Sequence, residues 1–214
     1  MRNNALSIAF FGLFALVLLG QSVVGLLDYN SEQQEHDHPP VAYADYLTSG
    51  HFLEAVFENW ESEFLQMGML VILTVALLQR GSAESKQARD DPSDKEPNKR
   101  KKSAPWPVRR GGVWLKLYEN SLSLALFGLF LMSFALHIVT GAADYNEEQR
   151  EHGEQPVGTL DYVVQPRFWF ESLQNWQSEF LAVGAMAVLT IYLRQKGSPE
   201  SKPVDSPHYE TGSS

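Results

Sequence analysis

The chain has 214 residues and 24.1 kDa, with 17 Lys plus Arg against 26 Asp plus Glu, a net charge of −9 and no cysteine. That balance argues against a nucleic-acid binder, which needs a basic face, and the lack of cysteine excludes disulfides, thiolate metal sites and a cysteine nucleophile. The mean hydropathy of −0.23 averages four apolar runs with strongly polar stretches, so a single soluble core is excluded as well.

The first apolar run, Ala5 to Leu27, has no charge over about 23 residues, enough at about 1.5 Å per residue to cross a roughly 30 Å hydrocarbon core. A signal peptide is the competing reading of Met1-Arg2 and the apolar stretch behind it. An equivalent run, Leu122 to Ala143, lies mid-chain where no signal peptide sits, which favours two transmembrane helices. Gln21 and His137 hold corresponding places near the ends of the two runs, and a lone His there reads as an interhelical hydrogen-bond partner. Gly12, Gly68, Gly128 and Gly184 read as points of close helix packing.

The polar stretch that follows carries Asp28, Glu32, Glu35, His36, Asp37, His38 and Asp45, echoed by Asp144, Glu148, Glu151, His152, Glu154 and Asp161. In helical form Glu32, Glu35 and His36 share one face, as do Glu148, Glu151 and His152, and carboxylates with imidazole at that spacing can converge on a divalent metal. The alternative is solvated acid, with Asn30 and Gln33, and Asn146 and Gln149, closing capping boxes. No other cofactor is indicated.

The second run in each half is short, Phe64 to Gln79 and Phe180 to Leu193, so each helix must borrow residues from upstream. Leu53, Val56, Phe57, Trp60 and Phe64 recur at helical spacing, as do Trp169, Leu173, Trp176 and Phe180. Trp60 and Trp176 are expected as interfacial anchors. Glu63 and Glu179 fall within these helices, with Asn59 and Asn175 one turn earlier on the same face, and are candidates for an ion or proton site. Their alternative role is to mark the helix entry, with side chains reaching water.

Of the 17 basic residues, 11 fall between Arg80 and Lys116, and only Arg150 and Arg167 lie in the two inter-helix loops. The positive-inside rule then predicts cytoplasmic termini and linker, with both acidic loops outside. The linker, 87–116, reads as disordered, with Lys99, Arg100, Lys101 and Lys102 facing anionic lipid heads; the tail, 203–214, reads as disordered too.

An offset of 116 residues aligns Asn4–Lys86 with Asn120–Lys202 without a gap, at about 38 identities over about 83 positions. The fold expected is an all-α membrane protein with four transmembrane helices from two tandem, same-orientation two-helix repeats. Repeat 1 is 1–86, with helices at about 5–27 and 57–79 and an outer loop at 28–56. Repeat 2 is 117–202, with helices at about 121–143 and 173–193 and a loop at 144–172.

The blocks Asn59-Trp60-Glu61-Ser62-Glu63-Phe64-Leu65-Gln66, Gly81-Ser82-Ala83-Glu84-Ser85-Lys86 and Tyr46-Leu47-Thr48-Ser49-Gly50-His51-Phe52 resemble a family of uncharacterised bacterial integral membrane proteins, a domain of unknown function with tandem two-helix repeats. The likeness covers about 80 residues of each repeat, with departures in the second at Gln177, Ala182 and Pro199. It implies a bacterial origin and a membrane location, read here as the inner membrane, and transfers no functional residues. No HExxH, Walker, GxSxG or dinucleotide signature is present, which argues against an enzyme. The reading is a non-enzymatic membrane association or scaffold protein in the lipid bilayer, partnered by itself or another membrane protein and not by nucleic acid. The alternatives are a small ion or proton transporter using the glutamates, and a metal-binding protein using the outer loops.

Overall fold

The computed structural model describes residues 4–36, 38–85 and 103–212, and these are all-helical with no strand. The helices are α1 (Ala5–Glu35), α2 (Tyr43–Tyr46), α3 (Gly50–Ala76), α4 (Trp106–Arg110), α5 (Gly112–Glu119), α6 (Ser121–Glu151), α7 (Thr159–Tyr162) and α8 (Pro166–Tyr192). Asp37, Lys86 and the basic cluster Lys99, Arg100, Lys101 and Lys102 lie outside the described residues.

The long helices overrun the expected spans at their polar ends. Residues 28–35 and 144–151, assigned to loops from their charge, continue α1 and α6, because neither stretch contains Gly or Pro. α1 stops ahead of Pro39-Pro40, and α6 stops at Gly153 with φ +72°. Asn30 and Asn146 therefore lie inside helices and cap nothing. α3 starts where Ser49 Oγ accepts the Phe52 N–H at 3.2 Å, and α8 starts on Pro166, whose fixed φ suits a first turn.

Two helices are long and apolar enough to cross a membrane, Ala5–Gln34 and Ser121–Glu151, each holding an 18-residue stretch with a mean hydropathy of 2.2. Large apolar side chains on α1 face outward on every side: Leu6, Phe11 and Leu16 are each about two-thirds exposed or more. The fully buried positions combine the aromatics Tyr46, Tyr162 and Phe168 with polar residues, among them Ser62, Ser82, Ser133 and Ser172. Exposed apolar surface as continuous as that of α1 is rare on soluble monomers. α3 and α8 carry acids and amides in their first halves, which dilutes their hydropathy.

The chain divides into two compact units, Met1–Phe57 with Ala135–Phe168, and Glu58–Phe134 with Trp169–Ser214. The core of the first unit is aromatic. Tyr46 and Tyr162 are almost wholly buried, and each seats against a glycine, Gly25 for Tyr46 and Gly141 for Tyr162. A Cβ on Gly141 would meet the Tyr162 ring at 2.8 Å, so only glycine admits the ring there. Tyr29 stacks on Tyr46 at 5.6 Å and Tyr145 on Tyr162 at 5.6 Å, while Phe52 and Phe168 close the other sides at 5.4 and 5.5 Å.

In the second unit, the segment read as linker carries α4 and most of α5, with Arg110 over both Trp106 and Trp114 at 5.0 and 5.4 Å. Residues 203–212, read as disordered tail, are folded onto the ends of α3 and α8. Lys202, 1% exposed, donates to the carbonyls of Pro207, His208 and Glu210. Thr211 Oγ1 accepts the Gly81 N–H at 3.0 Å, and the Gly212 N–H returns to Ser82 O. Gly81 has φ +86°, and a Cβ there would collide with His208 O. Gly68 meets Phe127 as a packing point, whereas Gly12, Gly128 and Gly184 have open space where a Cβ would go, and so are not packing points among the described residues.

Candidate functional site

Within the first unit, Asn30 and Asn146 each clasp a backbone eleven residues on. Asn30 Oδ1 accepts the Val41 N–H at 2.8 Å while its Nδ2 donates to Val41 O at 3.2 Å; Asn146 does the same with Val157 at 2.7 and 2.9 Å. The carboxamide imitates a neighbouring strand, satisfying two backbone groups with one side chain. These clasps fix the loops that carry α2 and α7.

The ends of α1 and α6 line a chamber of about 150 Å³ with Glu32, Asp144, Glu147, Glu148, Glu151 and Arg167, completed by Tyr29, Gln33 and His51. Five carboxylates face one guanidinium. Arg167 donates to Glu148 and, at 3.1 Å, to Asp144, while the Tyr29 hydroxyl donates to Glu147 Oε1 at 2.5 Å. The His51 ring lies 5.2 Å from that of Tyr29. Burial, with Asp28 and Asp144 nearby, raises the Tyr46 hydroxyl above its usual range, so it stays protonated beside this acid.

Three of the six residues picked out for a metal, Glu32, Glu148 and Glu151, are brought together in this chamber. His36 and His152 are not among its lining residues; their rings pair edge-on at 6.5 Å, and His152 Nδ1 lies 2.9 Å from Glu148 O. The Glu35 side chain lies outside what the structure describes. His38, near the sequence candidates, sits 3.5 Å from Glu151 Oε1. The sequence reading missed Tyr29, His51, Glu147 and Arg167, which look like ordinary loop residues until α1, α3, α6 and α8 set them around one cavity. Arg167 carried one signal, as one of only two cations in the acidic stretches.

His137 is fully buried in this unit, 4.9 Å from the Phe168 ring and 3.9 Å from Glu54 Oε1. Gln21, its counterpart by position, is exposed.

In the second unit the buried acid on α3 is Glu61, fully enclosed, and not Glu63, which is exposed. The Trp176 indole N–H donates to Glu61 Oε1 at 3.0 Å, so its polar edge points at a carboxylate within the unit. Asn175 donates to Glu58, Asn59 O accepts from Ser62 Oγ, and Gln66 Nε2 donates to the backbone oxygen of the half-buried Glu179. Trp60 is half-buried. The signal for Glu58 and Glu61 was their replacement by Gln174 and Gln177 at the corresponding positions 116 residues on, where Asn-Trp is kept.

These features define an all-helical protein with two helices compatible with membrane insertion. No catalytic signature accompanies them in the sequence. The chain belongs to the family described as a domain of unknown function, DUF6766, whose model matches residues 1–213. No match emerges among curated proteins or solved structures.

Proposed function

We propose that the chain is a four-span integral protein of a bacterial inner membrane, with no catalytic step of its own, that holds a hard divalent cation in the chamber of its first unit. The observation that carries the reading is the chamber lining, in which five carboxylates outnumber a single Arg. Oxygen donors suit Ca²⁺, Mg²⁺ or Mn²⁺, and a lining with five carboxylates and one imidazole, His51, fits a hard cation better than zinc. About 150 Å³ leaves room for an ion with part of its water shell. Spans in α1 and α6 are supported by their apolar, outward-facing surfaces, and spans in α3 and α8 by helices of 27 residues with apolar second halves. The cytoplasmic side would carry α4, α5 and the folded tail, by charge.

The test is titration of Mn²⁺ and Ca²⁺ into detergent-purified full chain, followed by calorimetry and by the Mn²⁺ spin signal. One ion per chain, weakened about tenfold or more by Glu32→Gln with Glu151→Gln, is the expected result. An absence of saturable binding up to millimolar ion sinks the proposal. Loss of binding on His36→Ala with His152→Ala, with the two Gln changes neutral, would return the site to the histidines.

A second reading, ion or proton conduction, is favoured by one feature: Glu61 is wholly buried on α3, in a helix assigned to the membrane. Flux into liposomes that vanishes with Glu61→Gln supports it, and flux no greater than in protein-free vesicles removes it.

A further inference from the structure

A groove of about 410 Å³ opens at the C-terminal end of α3, within the second unit. Leu70, Leu73 and Leu77 form one stripe along it at helical spacing, and the Ser82–Ser85 turn closes its polar end with Glu84. That volume lies within the roughly 300–1,000 Å³ of small-molecule sites.

Neither serine hydroxyl of the turn donates to Glu84 Oε1. Ser82 Oγ pairs with Thr190 Oγ1 at 3.1 Å and accepts the Glu84 N–H at 3.2 Å, while Ser85 Oγ accepts the Gln79 N–H. Two cations of the neighbouring C-terminal turn are committed to backbone carbonyls, Lys202 to the tail and Arg194 to Pro203 and Ser206. Glu84 Oε1 is buried and receives no hydrogen bond from any described residue. A buried carboxylate oxygen in that state is destabilising until a donor arrives. Burial, with the Glu200 carboxylate adding to it, pushes the Glu84 carboxyl above the usual carboxylate range.

We propose that this groove binds a phospholipid with a primary ammonium headgroup, its N–H groups donating to Glu84 and an acyl chain lying along Leu70, Leu73 and Leu77. The charge of the carboxylate selects a cation, and the vacant acceptor selects one with N–H. A choline head carries the charge without a donor and leaves Glu84 Oε1 unsatisfied. The leucine stripe selects a lipid over a free amine, since only a lipid brings an acyl chain to pack along those side chains. Gln79, also in the lining, offers its carboxamide to the phosphate. The inference rests on the reading that α3 crosses the bilayer.

The experiment offers the detergent-purified full chain phosphatidylethanolamine and phosphatidylcholine with identical chains, and counts retained lipid by native mass spectrometry. Phosphatidylethanolamine should be retained at one per chain with about a tenfold preference, the worth of one charge-assisted hydrogen bond. Glu84→Ala should erase the preference. Leu73→Trp, which fills the groove without touching the carboxylate, should expel both lipids, with circular dichroism reporting the fold of each variant. Equal retention of the two lipids by the wild-type chain, or a preference that survives Glu84→Ala, overturns the site. Displacement by millimolar free ethanolamine overturns its lipid part. Alkaline carbonate washing separates the two claims: a chain released from membranes defeats the membrane reading, and one that stays in the pellet without discriminating defeats the lipid site alone.

Discussion

Asn146 and Val157 are joined by two hydrogen bonds through one side chain, the carboxamide taking the Val157 N–H at 2.7 Å and giving its own N–H to Val157 O at 2.9 Å. Asn30 holds Val41 in the same way. Both loops would otherwise have to solvate these backbone groups beside the acid-lined chamber. Asn146→Leu should lower stability by about 1–3 kcal/mol, because both groups of Val157 lose their partner. Asn146→Asp keeps the acceptor and loses the donor, so its melting temperature in detergent should fall between the two. A Leu variant that melts with the wild type contradicts the clasp.

Glycines that look alike in sequence should respond in opposite directions. Gly141→Ala drives a methyl into Tyr162 and should cost about 1–3 kcal/mol. Gly12→Ala meets nothing within 4 Å and should be neutral or stabilising by up to about 1 kcal/mol through helix propensity. Thermal unfolding of the two variants side by side decides it, and equal losses would count against the tyrosine seat.

Lys202 holds three carbonyls while almost wholly buried, a task no apolar residue can perform. Lys202→Met preserves much of the volume and strands those carbonyls, so the tail beyond Pro203 should come loose. Chymotrypsin should then cut near Tyr209 several-fold faster than in the wild type. Unchanged cleavage would mean the tail is held elsewhere.

Glu84 gives a pH dependence of defined sign. Its folded value lies above the ordinary carboxylate range, chiefly through burial and secondarily through Glu200. Its contribution to stability is therefore fully present below the unfolded value and is lost as pH rises through the folded one. Relative to Glu84→Gln, the wild-type chain should lose stability as pH rises above the ordinary carboxylate range, as measured by paired melts. A difference that stays flat, or grows with pH, contradicts the burial of this carboxyl.

Arg167 is the counter-ion inside the chamber, bound to Asp144 and Glu148. Arg167→Gln removes the only guanidinium of the lining and frees both acids, so Mn²⁺ affinity should rise about tenfold. A fall in affinity would instead make the arginine part of the binding geometry.

The sequence by itself determined the helical class, the two apolar helices α1 and α6, the acidic character of the stretches after them and the correspondence of positions 116 residues apart. Each of these is a property of local composition, spacing or self-comparison, which needs no neighbour. The tertiary structure decided which faces look inward. Helices as apolar as α1 and α6 have no polar side to betray their buried face, so glycines facing open space and glycines facing tyrosine look identical in sequence. On α3, Glu61 and Glu63 differ by two residues, about 200° of helix rotation, and the packing that brings Trp176 to Glu61 buries one acid and leaves the other exposed. Asn30 and Asn146 read as helix caps because capping is the commonest local use of asparagine before a polar turn. Their real partners lie eleven residues away, past the helix ends, and Arg167 meets Glu148 across nineteen, distances at which spacing along the chain carries no geometric information until the helices are packed.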